Sequence, residues 1–361
     1  MPSVSGQRRP GLFDEAPFIL FWETTRACDL VCRHCRACAV PDRSPAELST
    51  DEGRRLLDDA ADMGVPLVVL TGGDPAKRPD LVDLVRHGTA RGLRMALTPS
   101  ATPLVTADLL RRLRDAGLAR LAVSLDADAP AVHDGFRGVA GSHARTHEIL
   151  EAARALGLTT QVNTSVTRAN LDELPALAHT VGVLGVELWS VFVVVPTGRA
   201  TALAALDADE IETLLDRLAD LRDRVGFDIK TTAAPHFCRV LLQRRVRGTK
   251  VVGIRDGIGR RARGVNDGSG VVFVSHVGDV CPSGFLPVAC GNVRQEGLAA
   301  VYRRSPLFLA LRDPDRFGGK CGRCEFRMVC GGSRARAFAA TGDPLAEDPG
   351  CTWTPRRRAH A

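Results

Sequence analysis

Cys28-Asp29-Leu30-Val31-Cys32-Arg33-His34-Cys35 sets three cysteines at CxxxCxxC spacing, directly after the apolar run Phe18 to Trp22. Cysteine sulfur is the usual protein ligand of iron–sulfur clusters, and four thiolates close a four-iron cluster to other ligands. Three leave one iron with an open position, as three protein ligands do for a catalytic zinc. Cys38 supplies a further thiol three residues on, so the spacing alone also fits structural zinc.

A second stretch, Thr71-Gly72-Gly73-Asp74-Pro75, follows the apolar run Leu67 to Leu70. Two glycines at the C-terminal end of a strand let a ligand approach the backbone, because no Cβ intervenes. Asp74 adds an acceptor for an ammonium group. Taken alone, such a sequence is an ordinary turn. Together the two stretches resemble the radical S-adenosylmethionine superfamily, which carries CxxxCxxC after the first strand of its barrel and Gly-Gly-Glu-Pro after the second. The likeness spans Phe18 to about Val195 and resumes near the C-terminus.

That resemblance implies that Cys28, Cys32 and Cys35 bind a four-iron, four-sulfur cluster whose fourth iron is chelated by the methionine end of S-adenosylmethionine. One electron then splits the sulfonium to methionine and a 5′-deoxyadenosyl radical, which abstracts hydrogen from a substrate. Gly72, Gly73 and Asp74 would hold the amino group, with Asp74 one methylene shorter than the family's Glu. Cys38 lies outside the pattern.

The 361 residues leave room for one large domain and a smaller one. Hydrophobic content of 45% and charged content of 25% are ordinary globular usage. No run approaches the ~18 apolar residues of a membrane helix, and no apolar segment of signal-peptide type follows Arg8, Arg9 and Pro10. Eleven cysteines without an export signal point to metal rather than disulfides, in a reducing cytoplasm. The net charge is +6, yet the stretch from Arg239 to Arg263 alone carries +8, so the rest is slightly acidic. This basic segment reads as a solvated loop or as a lid for an anionic substrate. Nucleic acid is disfavoured, because no aromatic side chains are interleaved for base stacking.

Along the chain, short apolar runs alternate with amphipathic segments. Strands are expected at Phe18 to Thr24, Leu67 to Thr71, Arg94 to Thr98, Arg120 to Leu125, Thr160 to Val166 and Val186 to Val195. Helices are expected at Thr50 to Met63, Asp80 to Arg91, Thr106 to Ala116, Ser142 to Leu156, Leu171 to Val181 and Asp209 to Arg224. Six such units predict an α/β fold, a parallel partial (β/α)6 TIM-like barrel, since an eight-stranded barrel needs two more. The resembling family has that fold, and its function sits at the C-terminal ends of the strands. Polar side chains after its fourth and fifth strands contact the cofactor's ribose and carboxylate. By position these are Ser124, Asp126, Arg137 and Asn163, with Arg137 suited to the carboxylate by its fork. Each also fits an ordinary turn or capping role. Pro196-Thr197-Gly198 could lie along adenine, and His133, His143 and His147 read as surface residues.

Residues 1–17 read as a leader, 18–225 as the barrel, 226–269 as a basic linker in which Cys238 has no partner, and 270–361 as a cysteine-rich unit. That unit opens with a hairpin from Gly270 to Cys281, turning near Gly278-Asp279. Cys321-x2-Cys324-x5-Cys330 follows, with Cys351 after a further twenty intervening residues, a closed site for zinc or for a second cluster. It resembles the SPASM extension of many radical S-adenosylmethionine enzymes. The likeness implies one auxiliary four-iron cluster on Cys321, Cys324, Cys330 and Cys351. A full SPASM domain holds two clusters, but Arg334 stands where a cysteine is expected, and Cys281 and Cys290 miss the expected spacing.

Trp22-Glu23-Thr24-Thr25-Arg26, Ser124-Leu125-Asp126 and Cys330-Gly331-Gly332-Ser333-Arg334 are similar to enzymes that modify side chains of heme and d-type heme precursors. The implied reaction is oxidative decarboxylation or side-chain loss at a tetrapyrrole propionate, with a flavodoxin or ferredoxin as electron donor. The alternatives are maturation of a ribosomally made peptide and a non-catalytic iron–sulfur or zinc protein.

Overall fold

The computed structural model describes residues 11–246 and 265–355. Six strands appear where the alternation places them: β1 (Ile19–Glu23), β2 (Leu67–Thr71), β3 (Arg94–Leu97), β4 (Arg120–Ser124), β5 (Thr160–Val166) and β6 (Leu188–Val193). They pair in chain order and in parallel, Leu20 opposite Val68 and Val68 opposite Met95. Near-continuous apolar runs such as Leu67-Val68-Val69-Leu70 suit strands covered on both faces. Helices α1 (Thr50–Asp62), α2 (Leu81–Ala90) and α3 (Ala107–Asp115) pack outside this sheet.

Local chemistry sets the helix ends. The Ser49 hydroxyl accepts from the Glu52 amide while Glu52 reaches back to the Ser49 amide, a reciprocal cap at the start of α1. Thr106 caps α3 in the same direction. Gly53 lets α1 lie over the fully buried Trp22, since a Cβ there would come within 2.4 Å of the indole.

One helix in the segment between β4 and β6 was not foreseen: α4 (Pro130–Arg137) precedes the expected α5 (Ser142–Ala155). After α6 (Leu174–Val183) and α7 (Ala208–Arg222), the expected linker instead forms β7 (Asp228–Thr232) and α8 (His236–Val246). β7 extends the parallel sheet beyond β6, Ile229 opposite Trp189. Its sequence, Asp-Ile-Lys-Thr-Thr, holds one apolar residue, so no hydrophobic signal marks it.

At the opposite edge the expected hairpin is present as β9 (Gly270–Val274) and β10 (Val280–Cys281), with β8 (Asn266–Asp267) beside it. β9 also joins the barrel sheet, running parallel to β1 with Phe273 opposite Phe21. The ten-stranded sheet therefore runs β10-β9-β1-β2-β3-β4-β5-β6-β7, with β8 paired to β9 off this path, and β10 and β7 do not pair with each other. The cysteine-rich segment is thus anchored beside the strand that precedes the CxxxCxxC loop. Among the described residues, no helix is long and apolar enough to cross a membrane.

Candidate active site

The CxxxCxxC loop leaves β1 and is clamped by glycines from two directions. The Gly73 amide donates to the Thr25 carbonyl at 2.8 Å, and the Asp74 amide to the Ala27 carbonyl at 2.7 Å. The contact is so close that a Cβ on Gly73 would lie 2.5 Å from the carbonyl oxygens of both Arg26 and Ala27. On the other side the Arg199 amide donates to the Cys35 carbonyl at 3.0 Å, and a Cβ on Gly198 would lie 2.4 Å from the Arg36 oxygen. Gly198 therefore packs directly against the CxxxCxxC loop.

Each cysteine sulfur of this loop receives a hydrogen-bond donor. The Leu30 amide reaches Cys28 at 3.3 Å, the Ala39 amide reaches Cys35 at 3.4 Å, and Arg137 Nη1 lies 3.8 Å from Cys32. Ser100 contacts Cys28 at 3.3 Å while its hydroxyl donates to the Gly73 carbonyl at 2.9 Å. Burial pushes the Cys28 thiol up, and Ser100 and the Leu30 amide pull against that. Donors directed at sulfur are what a thiolate in a cluster requires. Cys38 is exposed, its carbonyl held by Arg26 at 2.9 Å.

Behind the loop, His34 stacks on Phe136 of α4 at 4.4 Å between ring centres. Arg36 forms an ion pair with Glu23 at 3.0 Å and lies over the Phe273 ring of β9 at 4.7 Å. The opposite oxygen of Glu23 meets His276 Nδ1 at 3.0 Å. The loop is thereby tied both to the strand it leaves and to the C-terminal hairpin.

The carboxylates proposed from sequence stand behind the cavity wall. Asp74 is fully buried and accepts from the Ala76 amide at 3.0 Å, the Ser100 amide at 3.3 Å and the Thr102 hydroxyl at 2.7 Å. Its side chain thus orders the segment after β3. Asp126 accepts from the Ser165 amide at 2.8 Å and pairs with Arg137 Nη2 at 2.6 Å. Arg137 is buried between this carboxylate and Cys32, while Asn163 accepts from Gln161 at 2.7 Å. Gly72, Gly73, Ser124, Arg137 and Asn163 do line the cavity, together with Cys28, Cys32 and Cys35. Sequence reading missed Thr102 and Arg199, whose roles depend on which loops the barrel brings together.

The cavity has a volume of about 2080 Å³, roughly twice the upper range of ordinary small-molecule pockets. Seven of the chain's thirteen phenylalanines line it: Phe13, Phe18, Phe21, Phe192, Phe237, Phe273 and Phe285. Lys230 and Arg245 are on the same lining. Of the basic segment, Arg239 is instead paired with Glu212, and Arg244 with Asp216 and Asp220 on α7. Arg247, Lys250, Arg255, Arg260, Arg261 and Arg263 lie outside the described residues.

The lining also includes Cys238, Met328 and Val329, the last adjacent in sequence to Cys330. Here too the sulfurs collect donors: the Asp348 amide to Cys321 at 3.4 Å, Phe326 to Cys324 at 3.4 Å, Gly332 to Cys330 at 3.4 Å, and the Trp353 amide to Cys351. Burial pushes the Cys330 thiol up, and Cys238 adds a smaller electrostatic push in the same direction, so Cys238 is not the isolated residue expected from sequence. Cys290 behaves oppositely, donating its own thiol proton to the Val288 carbonyl at 3.5 Å, and burial pushes Cys281 up to about 12. Among the described residues, no three His, Cys, Asp or Glu side chains converge tightly enough to cage a single metal ion.

Residues 22–181 match the radical SAM superfamily model. The chain is 40% identical to the AdoMet-dependent heme synthase of Oleidesulfovibrio alaskensis over 95% of its own length and 89% of that protein's. It is 32% identical to the PqqA peptide cyclase of Rhodopseudomonas palustris over 94% of its length and 88% of the other's. The solved structure of Streptococcus suis SuiB bound to S-adenosylmethionine shares the fold, with a TM-score of 0.73 at 17% identity over 94% of this chain and 78% of that one.

Proposed function

Because the chain belongs to the radical S-adenosylmethionine superfamily, we propose that Cys28, Cys32 and Cys35 hold its catalytic four-iron cluster and that Gly72, Gly73, Ser124, Asn163 and Arg137 seat S-adenosylmethionine beside it. The donors aimed at the three sulfurs and the glycine-lined wall next to them support this assignment. Asp74 and Asp126 act from behind, one by ordering the Ser100 to Thr102 segment, the other by holding the Arg137 fork. When bound, cluster and cofactor supply a 5′-deoxyadenosyl radical that removes a hydrogen atom from the substrate.

The substrate is a tetrapyrrole carrying propionate groups, and the reaction is oxidative decarboxylation. The cavity carries this reading: its volume exceeds what the cofactor alone fills, and its phenylalanine-rich walls suit a large planar ring. Lys230 and Arg245 on the lining suit carboxylates. Similarity to AdoMet-dependent heme synthases points the same way. Per propionate, one hydrogen atom, one electron and one carbon dioxide leave, and a vinyl group forms. Cys321, Cys324, Cys330 and Cys351 hold an auxiliary cluster that accepts that electron, and a flavodoxin or ferredoxin of the cytoplasm supplies the initiating one.

Anaerobic incubation of the reduced, reconstituted enzyme with iron coproporphyrin tests the reading. Matched amounts of 5′-deoxyadenosine, carbon dioxide and vinyl product are expected; 5′-deoxyadenosine without carbon dioxide would exclude decarboxylation. Turnover of a precursor peptide alone would favour the activity named for the peptide cyclase relative. In the same assay Cys324→Ser is expected to keep cofactor cleavage and lose product at least tenfold. Unchanged product yield would remove the auxiliary site from the reaction.

A further inference from the structure

We propose that Arg334 is a charge-positioning residue of the C-terminal cysteine site, its guanidinium raising the reduction potential of the auxiliary cluster so that the site accepts an electron. The inference rests on the reading of Cys321, Cys324, Cys330 and Cys351 as cluster ligands given above.

Arg334 opens the helix Arg334–Thr341, and its side chain turns back into the protein, where it is fully buried. Nε donates to the Gly332 carbonyl at 3.3 Å, and Nη1 to the carbonyls of Pro344 at 3.1 Å and Ala346 at 2.7 Å. Nη2 is left to face Cys321 Sγ at 3.5 Å, and the guanidinium lies over the Phe317 ring at 4.5 Å. Gly332 makes this contact fit: at φ +69°, a Cβ there would lie 2.6 Å from Nη2 and 2.9 Å from the Cys321 sulfur. The backbone is shaped to bring a cation to a thiol.

The charge has no carboxylate in direct contact. Asp348 is taken by Arg336 at 3.3 Å and by His236 at 2.9 Å. Asp267 accepts from the Ala335 amide at 2.9 Å and from Ser283. No carboxylate among the described residues is in ion-pair contact with Arg334. Asp267 acts on Arg334 only through space and is shared with Arg336, so no carboxylate touches the fork, and a buried cation is costly unless paired and hydrogen-bonded. Four thiolates around a four-iron core are net anionic and provide the pairing charge. Arg239, also near Cys330 and Cys351, is already neutralised by Glu212 and cannot serve the same end.

The sign follows from charge. Reduction adds an electron to an already anionic group, so a fixed cation at Cys321 favours the reduced form and raises the potential. The electron comes from the substrate radical as carbon dioxide leaves and the vinyl bond forms; it passes on to a one-electron acceptor of the flavodoxin or ferredoxin class. A residue standing where a further cysteine would close a second cluster thus serves the single auxiliary cluster.

The test uses the full-length chain with Cys28, Cys32 and Cys35 all replaced by alanine, so that one cluster remains, titrated under electron paramagnetic resonance. Arg334→Gln is expected to lower the midpoint, raising the oxidised-to-reduced ratio at the parent midpoint at least tenfold, about 59 mV for a one-electron couple. Arg334→Lys keeps the charge and should stay within about threefold of the parent ratio, or roughly half that shift. An unmoved midpoint in Arg334→Gln with iron retained overturns the proposal. Should Arg334→Gln lose its iron, Arg334→Lys decides: retained iron at the parent midpoint supports the charge role, whereas lost iron or a tenfold shift overturns it. A parent chain that binds no iron would overturn the auxiliary-cluster reading, and the role of Arg334 with it.

Discussion

Replacing Cys28, Cys32 and Cys35 together by alanine is expected to abolish cleavage of S-adenosylmethionine while lowering the iron content of the reconstituted chain from about eight to about four atoms. The three sulfurs sit on one loop, each within reach of a donor from a different part of the fold: Leu30 within the loop, Arg137 at the end of α4, and Ala39 beyond Cys35. Removing them leaves those donors aimed at nothing, but the loop remains pinned by Gly73 and by Arg199 through backbone bonds that need no thiol. The variant should therefore fold and keep the iron assigned to the proposed C-terminal site. Iron quantitation and a 5′-deoxyadenosine assay on one sample check both halves. Residual cleavage above about 1% of the parent rate would place the reactive iron elsewhere.

The second large effect comes from a single methyl group. Gly73→Ala is expected to lower the cleavage rate by about 100-fold, the scale at which a displacement of roughly 1 Å costs a positioned reaction its geometry. The added Cβ would lie 2.5 Å from two backbone oxygens, Arg26 and Ala27, neither of which can swing aside like a flexible side chain. Relief requires separating the Gly-Gly turn from the cluster loop, breaking the bonds from Gly73 to Thr25 and from Asp74 to Ala27. Overpacking of this kind costs about 1–3 kcal/mol, which an enzyme with this buried core tolerates. Activity should thus fall with the fold intact. Gly135→Ala is the control: it lies in α4 with nothing within 4 Å of its would-be Cβ, so cleavage and stability should stay near parent values. Equal rates in the two variants would show that the close approach at Gly73 does not position the loop.

How much of this could be read in the sequence follows from which interactions are local. The apolar runs of β2 and β6, the Ser49 and Thr106 caps, and the glycines after helices, such as Gly92 at φ +82°, depend on neighbours in the chain and were legible. β7 was not, because Lys230 lines the cavity and Thr231 and Thr232 carry no hydrophobic alternation. Asp74 shows the same limit at the site. Its place in a Gly-Gly-Asp-Pro turn suggested a contact to the cofactor; besides the Ala76 amide beside it, its donors in the structure come from Ser100 and Thr102, twenty-six and twenty-eight residues away. Cys238 looked isolated because only the docking of α8 brings it near Cys330. Arg334 was visible as a missing cysteine; that its guanidinium returns to a cysteine sulfur is a property of the packed chain.

The open iron can be tested by electron paramagnetic resonance of the reduced enzyme before and after addition of S-adenosylmethionine, subtracting the signal of the triple-alanine chain. The expected result is a change in the g values of the remaining N-terminal signal, because the methionine amino and carboxylate groups occupy the position that three cysteines leave vacant. An identical signal in the presence of excess cofactor, or an N-terminal site that binds zinc in place of iron, would contradict it.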